Sequence, residues 1–73
     1  HRTIVFFETP HRIKKSLKVM MNILGDREIF VGRELTKKFE EKLRGTVSVI
    51  SKNIENRTIK GEIVIVVRGY ENK

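Results

Sequence analysis

The 73-residue sequence has no cysteine and no tryptophan, one proline, one tyrosine and two histidines. Without cysteine there is neither a disulfide framework nor a thiolate metal site, which fits a reducing compartment such as the cytoplasm. His1 and His11 are too few to build a zinc cluster, so no metal is expected. No apolar run approaches the roughly 20 residues that span a bilayer, and no secretory leader is visible, so no membrane partner is expected. Acidic residues are also scarce beside basic ones, 9 against 16, giving a net charge of +7 and a pI near 10.2. That balance favours a polyanionic partner, with simple solubility as the plainer explanation.

What remains is ordinary for a folded chain, at 38% hydrophobic and 34% charged. The length suits one domain over residues 1–73, and a chain so short buries only about 60% of its unfolded surface. The first methionine is Met20, while a strand-like segment begins at Thr3. The chain therefore reads as a piece of a longer protein.

Hydrophobic patterning divides the sequence into six elements. Thr3–Phe7 (TIVFF) is a β-branched and aromatic run with the mark of a buried strand. From Pro10 to Leu24, apolar Ile13, Leu17, Met20, Met21 and Leu24 recur at helical spacing. Thr9 suits the N-cap, Pro10 the first turn and Gly25 the C′ position, with Lys14, Lys15 and Lys18 on the solvent side. Glu28–Glu34 reads as a second strand. Phe39–Gly45 reads as a polar third strand, joined to the second by the short link Leu35–Lys38. Thr46 caps a segment with Val47, Ile50 and Ile54 on one helical face, although Val47 and Val49 could also extend the strand. Residues 55–61 form a loop, and Glu62–Val67 (EIVIVV) is the uninterrupted apolar run of a strand covered on both faces. The last residues, Arg68–Lys73, look like a frayed tail.

The order βαββαβ has the ferredoxin-like sandwich as its default, with the first and third strands central. The residues argue otherwise. Placing Glu40, Glu41, Lys42 and Arg44 in mid-sheet would cost several kcal/mol per uncompensated charge. The third strand therefore belongs at an edge and the fourth in the interior.

Four stretches, TIVFFETPHRI, VGRELTKKFEE, RGT and KGEIVIVVRG, together resemble the C-terminal part of the bacterial ribosomal RNA small subunit methyltransferase I family, in the tetrapyrrole methylase superfamily. Members usually read Y/F-E-S-P-H-R, A-R-E-L-T-K and G-E-I-V; Thr9 and Gly32 here replace Ser and Ala. The resemblance implies an S-adenosyl-L-methionine-dependent enzyme that methylates a cytidine ribose 2′-hydroxyl of 16S rRNA in the small ribosomal subunit. It implies a homodimer with a separate N-terminal domain that carries the rest of the cofactor site. It also implies an α/β (α+β) mixed sheet in spatial order 1-4-2-3 with two helices, and a further strand beside Thr3–Phe7, whose edge should be exposed and apolar without it. The fragment alone should be inactive.

Site residues follow from the same likeness. The backbone of Phe7, Glu8 and Thr9 should face the cofactor. Glu34 and Leu35 should line the adenosine pocket, and Gly61 and Glu62 should offer main-chain contacts to adenine. Gly32, for its part, permits close approach of a ligand or another backbone. Free N–H groups near Pro10–Arg12 with the Arg12 guanidinium would make an anion cradle, unless Arg12 pairs with Glu8 or Glu34. His11 is a weaker candidate, either a general base or a cover for the helix end. Lys14, Lys15 and Lys18 are candidate RNA contacts or a merely solvated face. Arg44–Thr46 shapes a strand-to-helix turn, and the Met and Phe residues are expected in the core. The alternative is a stand-alone basic RNA-binding module of ferredoxin-like type, against which stands the lack of an aromatic RNP motif on the third strand.

Overall fold

A computed structural model describes residues 3–35 and 37–69. Of the frayed tail expected over Arg68–Lys73, positions 70–73 lie outside the described residues. Arg68, by contrast, is held to Glu28, its N–H donating to the carbonyl at 3.3 Å and its guanidinium to the carboxylate at 3.0 Å. The elements are β1 (Ile4–Glu8), α1 (Ile13–Leu24), β2 (Glu28–Arg33), β3 (Glu41–Thr46), α2 (Val47–Ile54) and β4 (Ile63–Val67). The strands lie in the order β1-β4-β2-β3, and every neighbouring pair is antiparallel. The polar third strand is at an edge and the apolar fourth is interior, as the charge argument requires; the ferredoxin-like default is excluded.

One core holds the layers together. Ile29 and Val31 of β2 and Ile63, Ile65 and Val67 of β4 are buried against Ile13, Leu17 and Met20 of α1 and Val47, Ile50 and Ile54 of α2. Both helices thus cover one face of the sheet. The other face is left open, which corrects the expectation that β4 is enclosed on both sides: Val64 and Val66 are only half-buried. β1 is likewise no buried strand. It lies at the edge with Ile4, Val5 and Phe7 exposed, the apolar edge that the family likeness implies.

Several boundaries shift for local reasons. α1 begins at Ile13, after Arg12 as N-cap, rather than at Pro10 behind Thr9. Thr9 contributes its carbonyl, which accepts the N–H groups of Arg12 and Ile13 at 3.0 Å each and closes a turn ahead of the helix. Gly25, at φ 80°, ends α1 with its N–H on the Met21 carbonyl. β2 stops at Arg33 because Glu34 turns to φ 52°, off the strand, and β3 starts at Glu41 rather than Phe39. α2 begins where expected, with Thr46 Oγ1 accepting the Val49 N–H at 3.4 Å. Its start is held as well by Asp26, whose carboxylate accepts the Ser48 N–H at 2.7 Å and the Ser48 hydroxyl at 2.6 Å.

The Met and Phe residues divide between core and surface. Met20 is buried and Phe6 packs on the core, while Met21 is 38% exposed, Phe39 72% and Phe7 82%. Among the described residues no helix is long and apolar enough to cross a membrane.

Candidate functional site at the sheet rim

β1 and β2 run in the same direction, because each is antiparallel to β4 between them. Their C-terminal ends therefore reach one rim, flanking the start of β4. The register makes the last row Glu8–Ile63–Arg33–Glu41. Beyond that row lie Thr9, the Gly61–Glu62 pair and the Glu34–Leu35 pair. Three stretches distant in sequence thus converge on one edge.

Glu34 is the centre of this rim. Its N–H donates to the Glu62 carbonyl at 2.9 Å, and its carboxylate accepts the Glu62 N–H at 3.1 Å. The Lys37 ammonium lies 3.6 Å from that carboxylate and 3.2 Å from the Glu62 carboxylate, and the pair of acids pushes its pKa up. Gly61, at φ 90°, passes beneath the Glu34 side chain, and a Cβ there would fall within the Glu34 carboxyl group. Only glycine satisfies both demands. Gly32 has a similar use: a Cβ would lie 2.9 Å from both Leu35 methyl carbons, so the absent side chain admits Leu35 over the strand. The close approach expected at Gly32 is thus made by Leu35.

An ionic network buttresses the outer end of the rim. Glu41 accepts from Arg57 Nη2 at 2.7 and 2.9 Å and from Arg33 Nε at 3.1 Å, while Arg33 Nη1 reaches the Lys60 carbonyl at 3.0 Å. The Arg57 hydrogen bonds, helped by Arg33, hold the Glu41 carboxyl below its ordinary pKa against the opposing effect of burial. Neither Lys37 nor Arg57 stood out in the sequence. Their partners are set by the hairpin and the loop before β4, with no periodic signal.

The β1–α1 corner is partly self-satisfied. The Glu8 carboxylate accepts the Thr9 N–H at 2.9 Å and the Ser16 hydroxyl. Those bonds, Ser16 first, lower its pKa, with a smaller contribution from the Arg12 charge. The Arg12 N–H is taken by Thr9, so the cradle's main-chain donors are in part spent on the chain itself. The Arg12 and His11 side chains are exposed at this corner. Arg12 and Lys15 line an open groove of about 620 Å³ between β1 and α1, floored by Phe6, Met20 and Leu24. Lys14 is not on the solvent side: its ammonium donates to the Glu55 and Arg57 carbonyls at 3.1 and 2.7 Å. Lys15 and Lys18 are exposed.

No protein-family model matches the chain. Curated proteins do. A Bacillus subtilis protein named ribosomal RNA small subunit methyltransferase I is 52% identical over 71 residues, 97% of this chain and 24% of that protein. Proteins of the same name from Thermotoga maritima and Halalkalibacterium halodurans are 44% and 45% identical over the same share of the chain, covering 32% and 25% of their own lengths. The chain is similar to a part of ribosomal RNA small subunit methyltransferase I. It spans about a quarter to a third of the curated relatives it matches.

Proposed function

We propose that the chain is the C-terminal subdomain of an S-adenosylmethionine-dependent 16S rRNA cytidine ribose 2′-O-methyltransferase with the tetrapyrrole methylase fold, and that it supplies half of the cofactor site. The observation that carries this is the convergence of Glu8–Thr9, Glu34–Leu35 and Gly61–Glu62 on one rim. Leu35 offers an apolar cover for a purine face, and the Gly61–Glu62 backbone, now bonded to and covered by Glu34, would offer its edge contacts once that side chain moves. The cofactor supplies an electrophilic methyl group; the residues of this rim would hold its nucleoside end. Because the Glu62 N–H is occupied by the Glu34 carboxylate, a base that takes that donor must displace the side chain.

In this reading the N-terminal domain of the longer protein supplies the methionine-facing loops and a further strand beside β1. The full protein is a cytoplasmic homodimer acting on the small ribosomal subunit. Arg12, Lys15 and Lys18 face the rRNA backbone. His11, exposed at the corner, is the secondary candidate for a proton acceptor.

A chimera tests the proposal. The corresponding segment of the Bacillus subtilis relative is replaced by this chain, and labelled methyl transfer to unmethylated small subunits is followed. The chimera is expected to transfer methyl to the ribose of a cytidine, and the 73-residue chain alone to transfer none. A folded chimera without transfer, or transfer by the isolated chain, overturns the half-site.

A further inference from the structure

The open face of the sheet has an ordered chemistry. Its positions form two cross-strand rows, Phe7–Val64–Gly32–Lys42, in which Leu35 lies over Gly32, and Val5–Val66–Phe30–Arg44. Each row is apolar across β1 and β4 and ends in a cation on β3, Arg44 in one and in the other Lys42, which pairs with the Glu40 carboxylate at 3.3 Å. Phe7 is 82% and Val5 57% exposed, and Phe30, Val64 and Val66 are half-buried. The Arg44 guanidinium sits 5.3 Å from the centroid of the Phe30 ring. A hollow of about 290 Å³ adjoins it, lined by Phe30, Arg44, Val66, Glu28 and Arg68.

Flat rings on an apolar sheet, bordered by a row of cations, match the two halves of a single-stranded nucleic acid. Unpaired bases stack on aromatic and guanidinium planes, and phosphates follow positive charge. Charge separates this occupant from a second copy of the chain. Each copy carries +7, so pressing two such faces together adds like charge, whereas a polyanion removes it. No RNP-type motif marks the face, because that motif places its aromatics on the third strand. Here they sit on β1 and β2, where the order 1-4-2-3 lays them on one surface.

We infer that this open face is a docking platform for single-stranded RNA, with bases stacked on Phe7 and on the Phe30–Arg44 pair and the backbone running along Lys42 and Arg44. The inference rests on the reading that the parent protein acts on rRNA, and it adds to the basic α1 side a second RNA-bearing surface on the opposite face of the sheet.

The test is fluorescence anisotropy of the 73-residue chain with a short labelled RNA, single-stranded and as a duplex, at low and physiological salt. The single strand is expected to bind more tightly than the duplex. Phe7→Ala and Arg44→Lys should each weaken it about ten-fold, in line with the loss of one stacked base. Lys52→Ala, a charge removed from α2, should change it less than two-fold. Circular dichroism checks that each variant folds. Full affinity in Arg44→Lys would reduce the site to plain charge and overturn the stacking platform. So would a loss confined to a Lys15→Ala, Lys18→Ala double variant, which would place the RNA on α1 and leave the rRNA reading intact. Sedimentation of the chain as a dimer that Phe7→Ala dissociates, or no RNA binding at all, overturns it too. The methyl-transfer chimera fails or succeeds independently of these outcomes.

Discussion

The Glu34 carboxylate lies directly over Gly61 and accepts the N–H of Glu62 at 3.1 Å, so one side chain closes the gap between the end of β2 and the start of β4. Glu34 itself is held at φ 52°, a conformation that a residue with a side chain adopts at some cost. Such strain persists where surrounding bonds enforce it, and here the Glu34 N–H donating to the Glu62 carbonyl and the Glu34 carboxylate accepting the Glu62 N–H do so.

Gly61→Ala is therefore expected to destabilise the chain by about 1–3 kcal/mol, measured by urea unfolding. Two causes contribute. The φ of 90° strains any residue with a Cβ, and the new methyl expels the flexible Glu34 side chain from its bond. In a Glu34→Ala background the second cause vanishes and the first stays. Gly61→Ala should therefore cost less there, yet still cost something. An equal penalty in both backgrounds would show that the carboxylate does not occupy the space above Gly61.

Lys14 ties α1 to the end of α2. Its ammonium satisfies the carbonyl of Glu55, the C-cap of α2, and that of Arg57 in the loop that follows. Lys14→Met keeps the length of the side chain and removes the donor. It should lower stability by about 1–2 kcal/mol, whereas Lys15→Met, on the exposed side, should stay within about 0.5 kcal/mol. Thermal melts of the two variants side by side decide the point. Equal melting temperatures would reduce Lys14 to one more surface lysine.

Acid should unfold this protein chiefly through Glu41 and Glu8, with Asp26, whose carboxyl pKa the Ser48 hydrogen bonds also lower, titrating beside them. Both carboxyls have lowered pKa values, Glu41 chiefly through Arg57 and Glu8 chiefly through Ser16. A depressed carboxylate contributes stability that is present above its unfolded pKa of about 4.3 and is lost as pH falls through the folded value. Stability should thus be level from neutral pH down to about 5 and then decline. Glu41→Gln should lower the plateau and flatten the acid limb. An acid limb of unchanged steepness in that variant would show that Glu41 is not among the titrating groups.

How much of this was readable in the chain depends on the range of each interaction. The contrast between EIVIVV and the charged FEEKLRG was enough to place β4 inside and β3 at the edge, because burial of unpaired charge is costly at any register. The Thr46 cap was equally local. What escaped was long-range or faced the wrong way. Lys14 finds its carbonyls 41 and 43 positions away, and Asp26 caps a helix 22 positions on; neither follows from spacing. Phe7 stands in a run without alternation, so nothing in TIVFF told which of its side chains point to the helices and which to the open face. The rim residues came from family likeness rather than pattern, since main-chain contacts at Gly61 and Glu62 leave no side-chain signature.

Leu35 has its seat on Gly32. A methyl at position 32 would lie 2.9 Å from the Leu35 side chain, yet Gly32 has an ordinary strand conformation, so any penalty there is steric rather than conformational. Gly32→Ala alone should push Leu35 off the sheet and destabilise the fold. In a Leu35→Ala background the new methyl meets open space, and its effect should fall to zero or turn favourable, since alanine restricts the unfolded chain more than glycine. The two changes should therefore couple by about 0.5–3 kcal/mol in a double-mutant cycle. Strict additivity would mean that Leu35 does not rest on Gly32 in solution, and the apolar cover assigned to the nucleoside end would lose its anchor.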